Sequence, residues 1–315
     1  MKMRKAVDGS AVSIMVVLCL IWAMQQIALK GAADYMAPAL QVALRSGVVA
    51  VLIFVIHRCW LHDTWLPGIF GRSGLVVGLL FGLEFLLIAE ALRYTSTSHV
   101  VVFLYTAPIF VAIGLHGFLP DERLTRLQWI GIGLAFSGIA LAFLWPTLSG
   151  AVPSTDAHPL SWLGDVFALA AGALWGGTTI VLRTTKLKTA PVTQVLFCQM
   201  WLTFAVVLVF VLWTGQTTII PSTTLGMSLL FQIVLVSLLS YFVWFWLLER
   251  YLAARLGVLT FMTPIFGLVL GAWLLDERVE KSFLLGACLV LVGVFLVNGQ
   301  AWLQKKVWSK SQRNV

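Results

Sequence analysis

The chain has 315 residues, 60% of them hydrophobic and 11% charged, with a mean hydropathy of +0.96. That is too apolar for a surface that must face water, so lipid is the solvent for most of the chain; at about 20 apolar residues per crossing, roughly ten helices with short loops leave no sizeable soluble domain. The net charge of +8 does not point to nucleic acid, because the basic residues sit in short clusters between apolar runs, where they set topology.

Apolar runs bounded by charge, proline or glycine predict ten spans, near residues 11–30, 38–56, 73–93, 98–118, 127–145, 160–182, 191–213, 224–248, 255–275 and 282–303. The basic patch Lys2, Arg4 and Lys5 ahead of the first run resembles a signal peptide, but the run reaches span length without a convincing cleavage site and reads as span 1. Prolines inside spans, such as Pro108 and Pro264, are tolerated because neighbouring helices can satisfy the freed backbone groups. With the N-terminus inside, sixteen Lys and Arg fall on the cytoplasmic side. Only Lys30, Arg93, Arg278 and Lys281 fall outside, and Arg45 lies within span 2. This positive-inside bias predicts a multi-pass protein of a bacterial-type inner membrane with both termini cytoplasmic.

The chain repeats itself. Trp22 with Gln25, Gln26 and Lys30 matches Trp175 with Thr178, Thr179 and Arg183 at an offset of 153, and Ala37-Pro38-x-x-Gln41 matches Ala190-Pro191-x-x-Gln194 at the same offset. Arg93-Tyr94, Pro108-Ile109-Phe110 and Asp121-Glu122-Arg123 recur in the same order as Arg250-Tyr251, Pro264-Ile265-Phe266 and Asp276-Glu277-Arg278. The predicted units are residues 1–150 and 151–315. Each holds five spans, an odd number, so the second enters the membrane from the opposite side. The expected fold is therefore an all-α integral membrane protein of two inverted five-helix repeats around a central cavity, an architecture typical of secondary transporters.

These landmarks resemble the EamA-type branch of the drug/metabolite transporter superfamily across both halves. They are the Trp-containing first helix of each half, Arg45, the stretch Ala91-Leu92-Arg93-Tyr94-Thr95-Ser96, the Pro-Ile-Phe pairs, the Asp-Glu-Arg turns, and Gly164-Asp165 opening span 6. The resemblance implies a ten-helix basket in which spans 1–4 and 6–9 line a cavity and spans 5 and 10 are peripheral. It also implies an exporter of amino acids or related metabolites, driven by exchange or by protons.

Ionisable groups inside a span need a partner, water or a role. Arg45 and Glu84 fall at similar depths and could pair near the midplane. In one reading Glu84 is a proton or cation site and Arg45 its counter-charge or an anchor for a substrate carboxylate; in the other the two form a permanent ion pair between spans 2 and 3. The second half has Cys198 and Tyr241 at the corresponding places. Glu90 and His99, at equal depth near the outer surface, could together form a proton exit, since histidine titrates near neutral pH; otherwise both simply reach water. Trp22 and Gln25 share a helix face, as do Trp175 and Thr179, and with Tyr105, Tyr241 and Trp244 they are expected either to line a cavity or to pack helices. The Asp-Glu-Arg turns read as loop ion pairs or helix caps, and Trp60, Trp65, Trp302 and Trp308 as interfacial aromatics.

Cys19, Cys59, Cys198 and Cys288 lack pairing or metal-ligand spacing and read as packing residues. No His-Glu-x-x-His, P-loop or Gly-x-Ser-x-Gly signature occurs, so no enzyme, cofactor or metal is expected. The expected partners are a small-molecule substrate and the lipid bilayer. The default is a monomer, with a dimer through span 5 or 10 left open. The alternatives are a non-transporting membrane component and a carrier of a lipid-linked headgroup.

Overall fold

The computed structural model describes residues 8–61, 65, 66, 68–118, 123–148, 158–251, 256, 257 and 259–311. Lys2, Arg4, Lys5, Asp121, Glu122 and Arg255 lie outside them, as do the side chains of Trp60, Trp302 and Trp308.

Lipid offers no hydrogen bonds to a polypeptide backbone, so a chain this apolar must satisfy its amides internally, and the helix does so within each segment. Span 1 is Gly9–Gly31, span 2 Pro38–Ile56, span 3 Arg72–Tyr94, span 5 Arg126–Leu148, span 6 Ser161–Thr184, span 7 Val192–Thr214, span 9 Met262–Leu274 and span 10 Lys281–Ser311. Spans 4 and 8 are composite. Span 4 runs through Thr97–Leu104 and Ala107–Phe118, and span 8 through Thr223–Leu230, a π-helical stretch Phe231–Ser240, and Tyr241–Arg250. Seven spans are long and apolar enough to cross a membrane, and shorter apolar helices stand where spans 5, 9 and 10 were expected. The ten predicted elements are thus present among the described residues.

Sequence chemistry explains the breaks. Pro108 has no N–H to donate and its ring opposes the carbonyl one turn back, so span 4 opens into a turn at Tyr105 and Thr106. The Thr106 hydroxyl donates to the Phe103 carbonyl at 2.6 Å within that turn. Span 2 starts on Pro38, whose missing N–H costs nothing at a helix N-terminus, and span 7 ends at Gly215 with φ of 69°, a left-handed conformation that favours glycine. The π-helical stretch of span 8 was not predicted, because its apolar pattern does not differ from that of an α-helix.

Spans 2 and 7, 4 and 9, and 5 and 10 pack as pairs; spans 4 and 6 pack as spans 9 and 1 do, and spans 3 and 7 as spans 8 and 2 do. Shifting every span number by five maps this pattern onto itself, which is the symmetry expected of a duplicated chain. The two halves differ in extent: span 3 packs extensively on spans 6 and 7, whereas its counterpart span 8 meets spans 1 and 2 over smaller surfaces.

A large apolar core runs through the bundle. At the end that holds residues 9 and 250, two further clusters stand apart from it. Ala11, Met15, Leu18 and Cys19 pack with Leu247, Tyr251 and Leu256, while Ile69, Val77 and Leu187 pack with Trp65 and Val195. Trp65 is therefore not only an interfacial residue; its ring lies 5.2 Å from Phe197 and 4.3 Å from His57.

Spans 5 and 10 lie against each other along their length, so these faces are occupied within one chain. Their closest approach is set by glycine: a Cβ on Gly138 would sit 2.5 Å from the Gly286 carbonyl oxygen. Such contacts let helix backbones approach where no hydrophobic force drives association. Gly138→Val should force the two helices apart and destabilise the fold by about 1–3 kcal/mol, as overpacking does. This is checked as a lower melting temperature of the purified protein in detergent.

Candidate functional site

Two groups of polar residues stand inside the bundle, one at its centre and one at the end that holds Lys30. At the centre, Arg45 of span 2 is 2% exposed and Glu84 of span 3 is 5% exposed. They lie within electrostatic reach of each other and of Tyr241, but they do not form the ion pair that their equal depth suggested. The Arg45 guanidinium instead sits over the Phe85 ring, 4.5 Å from its centroid, a favourable cation–π contact. Its Nε and Nη1 and the Glu84 Oε2 are buried without a hydrogen-bond partner. Phe85 follows Glu84 in span 3, so its ring and the carboxylate leave the helix about 100° apart.

The aromatic residues extend this centre to both sides. Tyr105, at the break in span 4, meets Trp175 of span 6 edge to face with centroids 5.3 Å apart. Trp22 of span 1 meets Trp244 of span 8 in the same manner at 5.6 Å, and its indole N–H donates to the Ser240 hydroxyl at 3.0 Å. Gln25 and Gln26 are buried beside them on span 1, and the Gln26 carbonyl oxygen has no partner. The hydroxyls of Thr178 and Thr179 are bonded to their own helix, to the carbonyls of Leu174 and Trp175. Gly176 allows close packing, since a Cβ there would lie 2.7 Å from the Phe110 side chain. Arg45, Glu84, Tyr105 and Tyr241 thus converge and Trp175 stands against Tyr105, whereas Trp22 and Trp244 pack with the cluster of Met15, Leu18 and Leu247, and Thr179 is turned to its own backbone.

At the Lys30 end Glu90 and His99, which one reading of the sequence joined in a proton exit, have separate partners. Glu90 accepts from Arg93, one turn along span 3, at 2.6 Å and from Gln216 at 3.1 Å. The His99 ring stacks on Phe283 with centroids 3.6 Å apart, and its Nδ1 lies 2.9 Å and 3.0 Å from the two carboxylate oxygens of Asp165. Thr95 also donates to Asp165, at 2.7 Å. Equal depth did not bring Glu90 and His99 together because they face different neighbours: Glu90 the loop after span 7, His99 the start of span 6.

Glu277, in the turn before span 10, is the most connected group at this end. It accepts the backbone N–H of Thr97 at 2.6 Å, the N–H of Ser98 at 3.1 Å and the Ser98 hydroxyl at 2.8 Å, capping the N-terminus of span 4. Lys30 lies 3.5 Å away and donates to the Thr95 carbonyl at 2.7 Å. One carboxylate therefore ties spans 1, 4 and 9 at a single point. Burial pushes the Glu277 carboxyl up, but the Thr97 N–H, Lys30 and Ser98 together outweigh it and hold it below the ordinary glutamate value. The helix-cap reading of the second Asp-Glu-Arg turn holds for Glu277.

Sequence reasoning passed over the glutamines shared by the two repeats. Gln41 donates to the carbonyls of Leu29 and Met36 and accepts from Gln232, and Gln194 accepts from the Leu66 N–H at 2.9 Å. Each fastens a loop. The signal was the doubled Ala-Pro-x-x-Gln. Among the described residues no cluster of His, Cys, Asp or Glu could hold a metal ion.

The chain matches the EamA-like transporter family over residues 9–144 and again over 162–299. It is 27% identical to a probable amino-acid metabolite efflux pump of Salmonella typhimurium, over 92% of this chain and 94% of that protein. It is equally identical to the Escherichia coli protein of the same description, over 94% and 96%. An uncharacterized transporter of Bacillus subtilis is 24% identical over 88% of this chain and 92% of its own length. A solved crystal structure of 18% sequence identity superposes with a TM-score of 0.60, covering 92% of this chain and 96% of that one, and so shares the fold.

A carboxyl whose folded value is depressed contributes stability above its unfolded value, and that contribution is lost as pH falls through the folded one. Glu277→Ala should cost about 1–3 kcal/mol at neutral pH, the penalty for leaving buried donors unmade. Thermal melts across pH would check this: the gap between wild type and variant should be full above about pH 4.5 and should close in more acidic buffer.

Proposed function

The chain belongs to the EamA-like transporter family, and from that premise we propose that it is a secondary exporter of a small amino-acid-like metabolite, working by alternating access between its halves, residues 1–150 and 151–315. The observation that carries this reading is the buried arginine and glutamate, Arg45 and Glu84, which lie within electrostatic reach of each other without closing into an ion pair. Charges kept inside a membrane bundle are costly and are retained for function. A guanidinium with unpartnered N–H groups is a receptor for a carboxylate, and a buried carboxylate receives an ammonium group or a proton. The walls contributed by Trp22, Tyr105, Trp175, Tyr241 and Trp244, with Gln25 and Thr179 nearby, suit a small zwitterion with an apolar side chain.

In this account the termini are cytoplasmic and the Lys30 end faces outward. Glu277, Lys30, Asp165 and His99 close the outward end, while at the other end one apolar cluster joins spans 1 and 8 and a separate one joins the loops after spans 2 and 6, which supports a state that parts toward the cytoplasm between them. Solute enters there, its carboxylate on Arg45 and its ammonium on Glu84. After the bundle rocks and the solute leaves, an external proton takes its place on Glu84 and is released inside, so that solute and proton move in opposite directions. Glu90 and His99 lie on the outward route as proton relays, each through its own partner. The transporter works as a monomer, since the faces of spans 5 and 10 are used against each other.

Efflux from proteoliposomes under an imposed pH gradient, across a panel of amino acids and organic cations, tests the reading. Wild type should carry at least one zwitterion with the gradient, Glu84→Gln should lose gradient-driven flux while remaining folded, and Arg45→Gln should raise KM about tenfold or more, the cost of one charge-assisted contact. Undiminished gradient-driven flux in Glu84→Gln would contradict proton coupling at this residue, and no flux of any solute by wild type would contradict the exporter reading.

A further inference from the structure

A polar concavity lies away from Arg45 and Glu84, on the surface at the Lys30 end. It encloses about 780 Å³ and is walled by the ends of spans 1, 3 and 9 and by the loops that follow spans 1 and 7. That volume is within the range of small-molecule sites.

Its rim is held by main chain. Met36 and Ile219 form an isolated antiparallel bridge, and the Ile220 N–H donates to the Tyr35 carbonyl at 2.8 Å. The loops that follow spans 1 and 7 are therefore fixed to each other, and the concavity is preformed. Its lining carries two cations and two carboxylates: Lys30 and Arg93, Asp34 and Glu277. Glu277 is committed to the start of span 4 and Arg93 to Glu90, but the Lys30 and Arg93 side chains keep 31% and 40% of their surface exposed. Asp34 is exposed, with no hydrogen bond or ion pair among the described residues. The side-chain Oε1 of Gln216, which also lines the concavity, is buried without a partner.

We infer that this vestibule is a binding site for a small zwitterion, with the carboxylate of the ligand on Lys30 and Arg93 and its ammonium on Asp34. A monovalent acid or amine meets only half of the lining and leaves the other charges as they were. A zwitterion satisfies both signs at once, and it reaches Lys30, the cation that Glu277 uses in closing this end. Occupancy and closure thus share one residue. The site is separate from Arg45 and Glu84; only the choice of amino acids as probes rests on the exporter reading.

The test reads binding without transport. In a variant with Cys19, Cys59, Cys198 and Cys288 replaced by alanine, Thr218→Cys places a thiol on the wall of the concavity at a position that carries no charge. Its rate of maleimide labelling is measured on the purified protein in detergent, with L-leucine, L-phenylalanine, 3-phenylpropionate or phenethylamine at about 10 mM, a concentration suited to a millimolar site. The expected result is several-fold slower labelling with at least one amino acid and no slowing with the acid or the amine, the protection being lost in Lys30→Met and in Asp34→Asn. Unchanged labelling with all four probes, equal protection by the acid or amine alone, or protection that survives both substitutions would overturn the site. Because no flux is measured, a failure to transport in proteoliposomes would count against the exporter reading and leave this outcome as it stands.

Discussion

The contact on which the centre of the molecule depends is that between the Arg45 guanidinium and the Phe85 ring. It gives a buried cation a favourable neighbour without neutralising it. Arg45 and Glu84 nonetheless act on each other, in a medium of low dielectric where small displacements of charge carry large energies. In the proposed cycle a ligand carboxylate, an ammonium group or a proton arriving at this centre changes the energy of the cluster that spans 2, 3 and 8 carry.

Duplication supplied the frame for this centre and divergence supplied its chemistry. Spans 2 and 7 lie together as repeat counterparts, yet where span 2 has Arg45, span 7 has Cys198, whose thiol faces the Gly74 carbonyl at 3.4 Å. Where span 3 has Glu84, span 8 has Tyr241, and both approach Arg45. The same inequality marks the helix contacts. Span 3 packs more extensively on spans 6 and 7 than span 8 does on spans 1 and 2, so the two halves are held in unequal arrangements, as the proposed alternation would require.

Much of the fold was legible in the sequence, because span length, the charge of the loops and the doubled landmarks are each set by strong constraints of the bilayer. The break at Tyr105 could be read from Pro108. The π-helical stretch at Phe231–Ser240 could not, since hydropathy is blind to a change of helical pitch. Depth along a helix was also legible, and it placed Arg45 near Glu84 as expected. Rotation about the helix axis was not, and that is where the expectations for both charged pairs departed from the structure. Glu90 turned to Arg93 and Gln216, His99 to Asp165, and Arg45 to Phe85. Glu277 was legible as a helix cap, but its three-way role depends on spans 1 and 4 meeting the turn before span 10, which no local pattern states.

The central claim is that Glu84 exchanges its proton for solute. Infrared difference spectroscopy on the reconstituted protein, with and without a transported solute, tests it most directly, since the carbonyl stretch of a protonated carboxylic acid is separate from that of a carboxylate. The account predicts that solute binding removes such a band in the wild type and that the change is absent from Glu84→Gln. A spectrum in which solute binds while no carboxylic-acid band changes, or in which the same change persists in Glu84→Gln, would contradict it.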